Sequence, residues 1–357
     1  MGGGIRSWIR AYNQRGLPEN YFRVEVYILR SLGIELMREE TIKQKIYTFF
    51  ALFLIMFQGT FTEALELYVQ LGNWNAALNV TTFLFTHFIG MMKVAMLFYN
   101  RKKFGNMIRT FHSKPFLPDT NRGGENEEKY LRKTVKTTES LYIFFFFLIY
   151  VTLISGAVAF VQSRIFNDKE DWRHPYVPIT VVPTADTPIF EIAGVFQVIW
   201  VSVYATLLIS IDTLLVAILA HLTIQFRMLN NAFRSIRTRS KKIYQTTEGD
   251  DKDEGVILNK LLGGYIEHHL RVLELAEQLE ELCNMVYLLI FLSSVVLLSF
   301  LLYRMSLHPI GSIEFIHCAS YYCIVVYQIG MYCYWGNEVT SQSAEVAKAV
   351  AEADWVG

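Results

Sequence analysis

One carboxylate stands inside a long, otherwise apolar helical stretch: Asp212, in the run IDTLLVAILA. A charged group in hydrocarbon is costly unless it is paired, so an intramembrane acid raises a functional hypothesis by default. Asp212 lies about 22 residues from Ile189, at the start of its stretch, roughly 33 Å along a helix axis. That distance predicts a place near the far interface, where an acid is cheap, and favours a structural hydrogen-bonding role. Lys93, near the end of another apolar stretch, is expected to snorkel toward water. The eight histidines show no HExxH or comparable metal spacing, and the adjacent His268 and His269 must point to different helix faces. The cysteines Cys283, Cys318, Cys323 and Cys333 fall in or beside the last two apolar stretches. No pair sits in a connecting loop, so buried, inert thiols are expected rather than redox or metal groups. With no phosphate-binding loop and no dinucleotide fingerprint, neither an enzyme nor a cofactor, metal or nucleic-acid partner is expected.

These groups must be positioned by membrane helices. A spanning helix needs roughly 20 largely apolar residues to cross about 30 Å of hydrocarbon. Uncharged runs cover 46–62, 67–92, 140–163, 192–211, 282–303 and 315–337. The first is short but extends past Glu63 into the interface. None of the eight prolines falls inside a run, and Pro175, Pro178, Pro183 and Pro188 crowd one loop. Segments such as LYIFFFFLIYVTLI lack the alternation of a membrane barrel, so helices satisfy the backbone. The fold class expected is an all-α, polytopic membrane helical bundle of six spans.

Lys and Arg mark the cytosolic ends of spans. Counted through the N-terminal segment 1–45 and the successive connections, they number 8, 0, 10, 3, 9 and 1. This alternation puts the N-terminus in the cytosol, the inverse of a G-protein-coupled receptor. The segment 1–45 also lacks the apolar core of a cleavable signal peptide. Three regions follow: a cytosolic segment 1–45, a bundle over 46–334 and a cytosolic C-terminal helix over 335–357.

The cytosolic parts read as helical. Leu258, Leu261, Leu262, Tyr265, Ile266, Leu273, Ala276 and Leu279 recur at three-and-four spacing and form one apolar stripe. No proline separates this stripe from the fifth span, although Gly263 and Gly264 weaken it. The fourth span likewise continues past Asp212, so helical extensions are expected over about 213–282. The acidic run at 248–254 is read as a mobile tip between them. The stripe fits either packing within the chain or a surface where subunits meet.

The C-terminal run YCYWGNEVTSQSAEVAKAVAEADWVG (332–357) is more specific. It resembles the tail of insect odorant receptors in Tyr332, Cys333, Gly336, Asn337, Ser341, Ser343, Val346, Ala349 and Trp355. The passages IDTLLVAILAHLTIQFRML and IEHHLRVLELAEQLE agree with the same family. Ala351 departs from it, standing where Tyr is frequent. The resemblance implies a ligand-gated cation channel of the olfactory neuron's plasma membrane. It further implies a hetero-tetramer in which a tuning subunit joins an odorant co-receptor, with lipid around the bundle. The family's pore-lining seventh span has no counterpart before residue 357, so the chain is expected to stop short of the pore helix, or the pore to be supplied elsewhere.

The same resemblance implies a pocket for a small volatile ligand in the outer half of the bundle. Such a site should be apolar and aromatic with a few orienting polar groups. The side chains expected there are Thr81, Phe85 and Phe88; Tyr150, Ile154, Ser155 and Val158; Gln197, Trp200 and Tyr204; and His317 with Tyr321. Ordinary helix packing is the competing account of each. Two other functions stay open: a gustatory-type receptor, sharing this topology, and a transporter of small apolar molecules, which would call for Gly/Pro-broken spans.

Overall fold

A computed structural model describes residues 21–119, 122, 125–179, 186–246 and 253–353. Residues 1–20, most of the acidic tip, Pro183 and Trp355 lie outside them. The described residues form helices and no strand. In chain order they are α1 (Arg23–Ser31), α2 (Ile42–Gln70), α3 (Trp74–Tyr99), α4 (Arg101–Phe111) and α5 (Glu125–Phe166), then α6 (Ile189–Arg234), α7 (Ile236–Thr246), α8 (Glu254–Ser306) and α9 (Ile313–Glu352).

Short polar residues set the starts. Thr41 opens α2 with a capping box: the Gln44 amide donates to Thr41 Oγ1 at 3.4 Å, and the Thr41 amide to Gln44 Oε1 at 2.8 Å. Asn73 caps α3, Asp253 caps α8 and Ser312 caps α9. The uncharged run 67–92 is not one helix. The chain turns at Leu71–Gly72, and Asn73 restarts it as α3. The turn falls within the connection 63–75 expected between the first two spans, where Gly72 and Asn73 mark it.

Five described helices are long and apolar enough to cross a membrane: Ile42–Gln70, Ala76–Tyr99, Asn126–Phe166, Ile189–Arg234 and Glu254–Ser306. The 40-residue α9 is long enough, but its tyrosines, His317 and Gln328 make it less apolar. Burial ranks the five. In α6, 94% of the most apolar stretch is inside the protein, against 24–50% in the others. So α6 is the axis of the bundle, and the rest present outer faces to lipid or to partners. Helix α1 lies against α6, with Phe22 fully buried and its ring 4.6 Å from that of His221. Burial, reinforced by the charge of Glu139, pushes the Glu25 carboxyl of α1 up to about 7.

Helices α6 and α8 run well beyond the apolar stretches, and α8 passes through Gly263 and Gly264 unbroken over 53 residues. The row Tyr265, His268, Val272, Leu275 and Leu279 of α8 is buried within the chain. A second row, Ile266, Leu270 and Leu273, faces outward. Packing within the chain therefore accounts for part of the stripe and leaves the rest uncovered. Arg122 locks this end: it donates to both Glu127 oxygens at 2.8 and 2.7 Å and contacts His268 Nδ1 at 3.1 Å. His269, one residue on, points elsewhere, as adjacency on a helix requires.

Two expectations change. Lys93 does not snorkel. Its side chain turns into the bundle and meets Asp212 Oδ1 at 2.7 Å, with both groups buried. Of the four thiols, Cys283 and Cys318 are buried while Cys323 and Cys333 face outward.

Candidate functional site

Helices α3, α5, α6, α8 and α9 surround a cavity of about 140 Å³. On α3 the lining residues Phe83, His87, Gly90 and Lys93 follow one another at three or four residues, with Thr86 beside His87, the spacing of a single helix face. Val201, Ala205, Leu208 and Asp212 do the same on α6, with Tyr204 beside Ala205, and His317, Tyr321, Ile324 and Gln328 on α9. The three rows each cover ten or eleven residues, so the cavity extends for about 15 Å along the bundle.

One end lies under the loop that follows α5. Tyr176 of that loop enters the lining. Its hydroxyl donates to the Leu153 carbonyl at 2.7 Å. Gln197 clamps the same turn, accepting from the Tyr176 amide at 3.2 Å and donating to the Val177 carbonyl at 2.9 Å. Asn79 donates to the Tyr176 carbonyl at 3.3 Å. Gly156 makes the approach possible, since a Cβ there would stand 2.4 Å from the Tyr176 ring.

The middle is aromatic, with a few neutral hydrogen bonds. The Tyr321 and Thr86 hydroxyls are 2.6 Å apart, and Ser155 Oγ lies 3.1 Å from His317 Nδ1. Tyr204 donates to the His87 carbonyl at 2.8 Å, across a gap kept open by Gly90, where a Cβ would fall 1.9 Å from the Tyr204 oxygen. The His87 ring is held by Glu63 Oε2 of α2 at 2.6 Å. Glu63 thus turns inward to a partner.

At the other end Asp212 gathers donors. Lys93 Nζ and the Tyr332 hydroxyl donate to Oδ1 at 2.7 and 2.8 Å, and Gln328 Nε2 donates to Oδ2. Lys93, Asp212 and Gln328 all line the cavity. Three hydrogen bonds and the opposite charge of Lys93 thus take the place of water around the Asp212 carboxyl group.

Of the side chains expected at the site, Phe85, Tyr204, His317 and Tyr321 line the cavity. Ser155 and Gln197 stand behind it, holding His317 and the loop. Tyr150 bonds Thr206 at 3.0 Å. Trp200 donates to the carbonyls of Leu54 and Ile55 at 3.3 and 3.0 Å, within a π-helical turn of α2 at Phe53–Gln58. Gly59 admits that indole, since a Cβ there would lie 1.8 Å from its ring. Thr81 is partly buried and outside the lining, while Phe88, Ile154 and Val158 face away from the bundle. Not anticipated were His87, Lys93, Asp212 and Gln328 as lining groups, nor Tyr176 from the loop. A three-and-four row through Phe83, His87, Gly90 and Lys93 was the available signal on α3.

Among the described residues no cluster of His, Cys, Asp and Glu could hold a metal ion.

The sequence model of a family described as "7tm Odorant receptor" matches residues 73–357. No curated protein matches the chain. Solved structures do resemble it. The insect olfactory receptor OR5 from Machilis hrabei has 12% identity over 98% of this chain and 89% of its own, with a TM-score of 0.73. The same receptor in complex with eugenol has 15% identity over 93% and 87%, with a TM-score of 0.69.

Proposed function

The chain belongs to the odorant receptor family, and from that premise we propose that it is a tuning subunit whose ligand occupies the cavity between α3, α5, α6, α8 and α9. The observation that carries this reading is the cavity's makeup: aromatic and aliphatic walls with a few oriented polar groups, the composition of a small-molecule site. Its 140 Å³, at roughly 10–15 Å³ for each water-sized group, suits a ligand of about ten non-hydrogen atoms. A structure of the same fold is a complex with eugenol, a compact ligand in that size range. The side chains proposed to touch the ligand are Phe85, Tyr204, His317 and Tyr321, joined by Phe83, His87 and Tyr176. Ser155 and Gln197 are proposed to act behind them.

The wider reading follows from the family and the charge pattern: a multi-pass plasma-membrane protein with α9 as its sixth span and a cytosolic N-terminus. It gates a cation channel together with an odorant co-receptor. The outward row Ile266, Leu270 and Leu273 of α8, left uncovered in the single chain, supports a subunit contact there.

The test is odorant-evoked current in cells expressing this chain with a co-receptor. Ala205→Trp places an indole inside the cavity and should abolish the response to every volatile while surface expression persists. Unchanged dose–response curves would remove the cavity from ligand recognition. Equal currents without any co-receptor would sink the partnership.

A further inference from the structure

At the cavity's charged end, the lysine and not the carboxylate has hydrogen-bonding capacity to spare. Asp212 already takes three: Lys93 Nζ and the Tyr332 hydroxyl on Oδ1, Gln328 Nε2 on Oδ2. A carboxylate has about four lone-pair sites, so little acceptor capacity is left. Lys93 is the reverse. An ammonium carries three N–H donors, and the described residues place one acceptor on it, Asp212 at 2.7 Å. It is 3% exposed and lines the cavity. The nearby serines do not compete as donors, because Ser293 and Ser294 turn their hydroxyls back to the Ile290 carbonyl at 2.9 and 2.6 Å. An unmet donor in a dry site is costly, and an acceptor brought to it recovers that cost.

On the premise that the cavity is the ligand site, we propose that Lys93 forms a hydrogen-bond-donor subsite selecting ligands with a neutral carbonyl oxygen, as in ketones, aldehydes and esters. The carbonyl sits at the Lys93–Asp212 end and the apolar remainder extends toward Tyr176. A hydrocarbon of the same shape leaves the Lys93 donors unmet. A primary amine, protonated near neutral pH, brings a second cation beside Lys93 while Asp212 is already committed. The rank order is therefore carbonyl, then hydrocarbon, then amine. Geometry sets the reach: Phe83 and Lys93 are ten residues apart on α3, about 15 Å, so a seven-carbon chain with its oxygen at Lys93 stays below the loop.

The experiment uses the full chain, purified in detergent or nanodiscs. Binding of heptan-2-one, heptane and heptylamine is read from ligand-induced thermal stabilisation. Concentrations are scaled to each compound's aqueous solubility, which removes the difference in hydrophobicity. Heptan-2-one should bind at least tenfold tighter than heptane on that scale, with heptylamine weakest. In the charge-neutral double variant Lys93→Met with Asp212→Asn the ketone advantage should vanish while heptane binding persists; Lys93→Arg, which keeps a donor, should retain it. Equal binding of ketone and heptane by the unaltered chain overturns the subsite, whatever the variants' folding. So does a ketone advantage that survives the double variant. Ala205→Trp separates the two readings. If it leaves all three ligands bound as before, the cavity itself is not the site and both readings fall. If it abolishes all three while the unaltered chain shows no ketone preference, only the subsite falls.

Discussion

The cavity's two ends are held by different kinds of contact. Under the loop, Tyr176, Gln197 and Asn79 exchange neutral hydrogen bonds with backbone groups. At the other end a buried lysine and a buried aspartate face each other at 2.7 Å, and two further donors converge on the same carboxylate. A neutral hydrogen bond contributes about 1 kcal/mol net, so the loop end can lose one contact and keep its shape. A buried ion pair tolerates no such loss, because removing one partner strands the other charge at a cost of roughly 3–5 kcal/mol. The first end tolerates local opening. The second behaves as an all-or-none joint between α3, α6 and α9.

The largest effect should come from splitting that joint. Asp212→Ala or Lys93→Ala alone should lower stability by about 3–5 kcal/mol, read as loss of folded, monodisperse protein and a fall in thermal midpoint. The double change Lys93→Met with Asp212→Asn should recover most of the loss, since no charge is stranded. If both single variants melt with the parent, the two ends are not different in kind.

A buried carboxylate without such a set of donors sharpens the same contrast. Glu25 on α1 is as buried as Asp212, but burial, reinforced by Glu139, lifts its carboxyl from 4.5 to about 7. A folded-state value above the unfolded one means that stability is fully present below about 4.5 and is lost as pH rises through about 7. Glu25→Gln should therefore stabilise the docking of α1 at pH 8, by about 3 kcal/mol, and flatten the profile between pH 5 and 8. A thermal midpoint that falls in Glu25→Gln at pH 8 would show that the carboxylate is stabilising after all, as at Asp212.

How much of this was legible depended on what each helix exposes. The all-helical, membrane-bundle character could be read from charge blocks, because charges are excluded from hydrocarbon. The helical extensions of α6 and α8 could be read from proline-free, three-and-four patterning. On α6 and α9, Tyr204, His317 and Tyr321 were readable as inward-facing because they are polar or aromatic groups recurring on one face. On α5 the inward face was not readable, and on α3 only the sparse row Phe83, His87, Gly90 and Lys93 marked it. The spanning parts of both helices carry apolar groups on the outer face as well, because lipid makes no demand that an outer face be polar, so Phe88, Ile154 and Val158 looked as inward as Phe83 or Leu153. Asp212 was placed by distance along one helix, which says nothing about a partner 119 residues away on α3. Tyr176 sits in a proline-rich loop, and only the Gly156 gap and the Gln197 clamp, both tertiary, bring it into the cavity.

The smallest effect tests the loop end alone. Tyr176→Phe keeps the ring against Gly156 and removes one hydroxyl, hence one bond to the Leu153 carbonyl. The cost should be about 1 kcal/mol, too little to unfold the bundle. It should show locally, as faster amide hydrogen exchange in the turn held by Gln197, around Tyr176 and Val177, with exchange near Asp212 unchanged. Because the Lys93–Asp212 end is untouched, the relative order in which ligands of different head group bind should stay as in the parent, while all of them associate and dissociate faster. If instead protection is lost along α3 and α6 as well, the loop is not an independent cover, and the two ends form one cooperative unit.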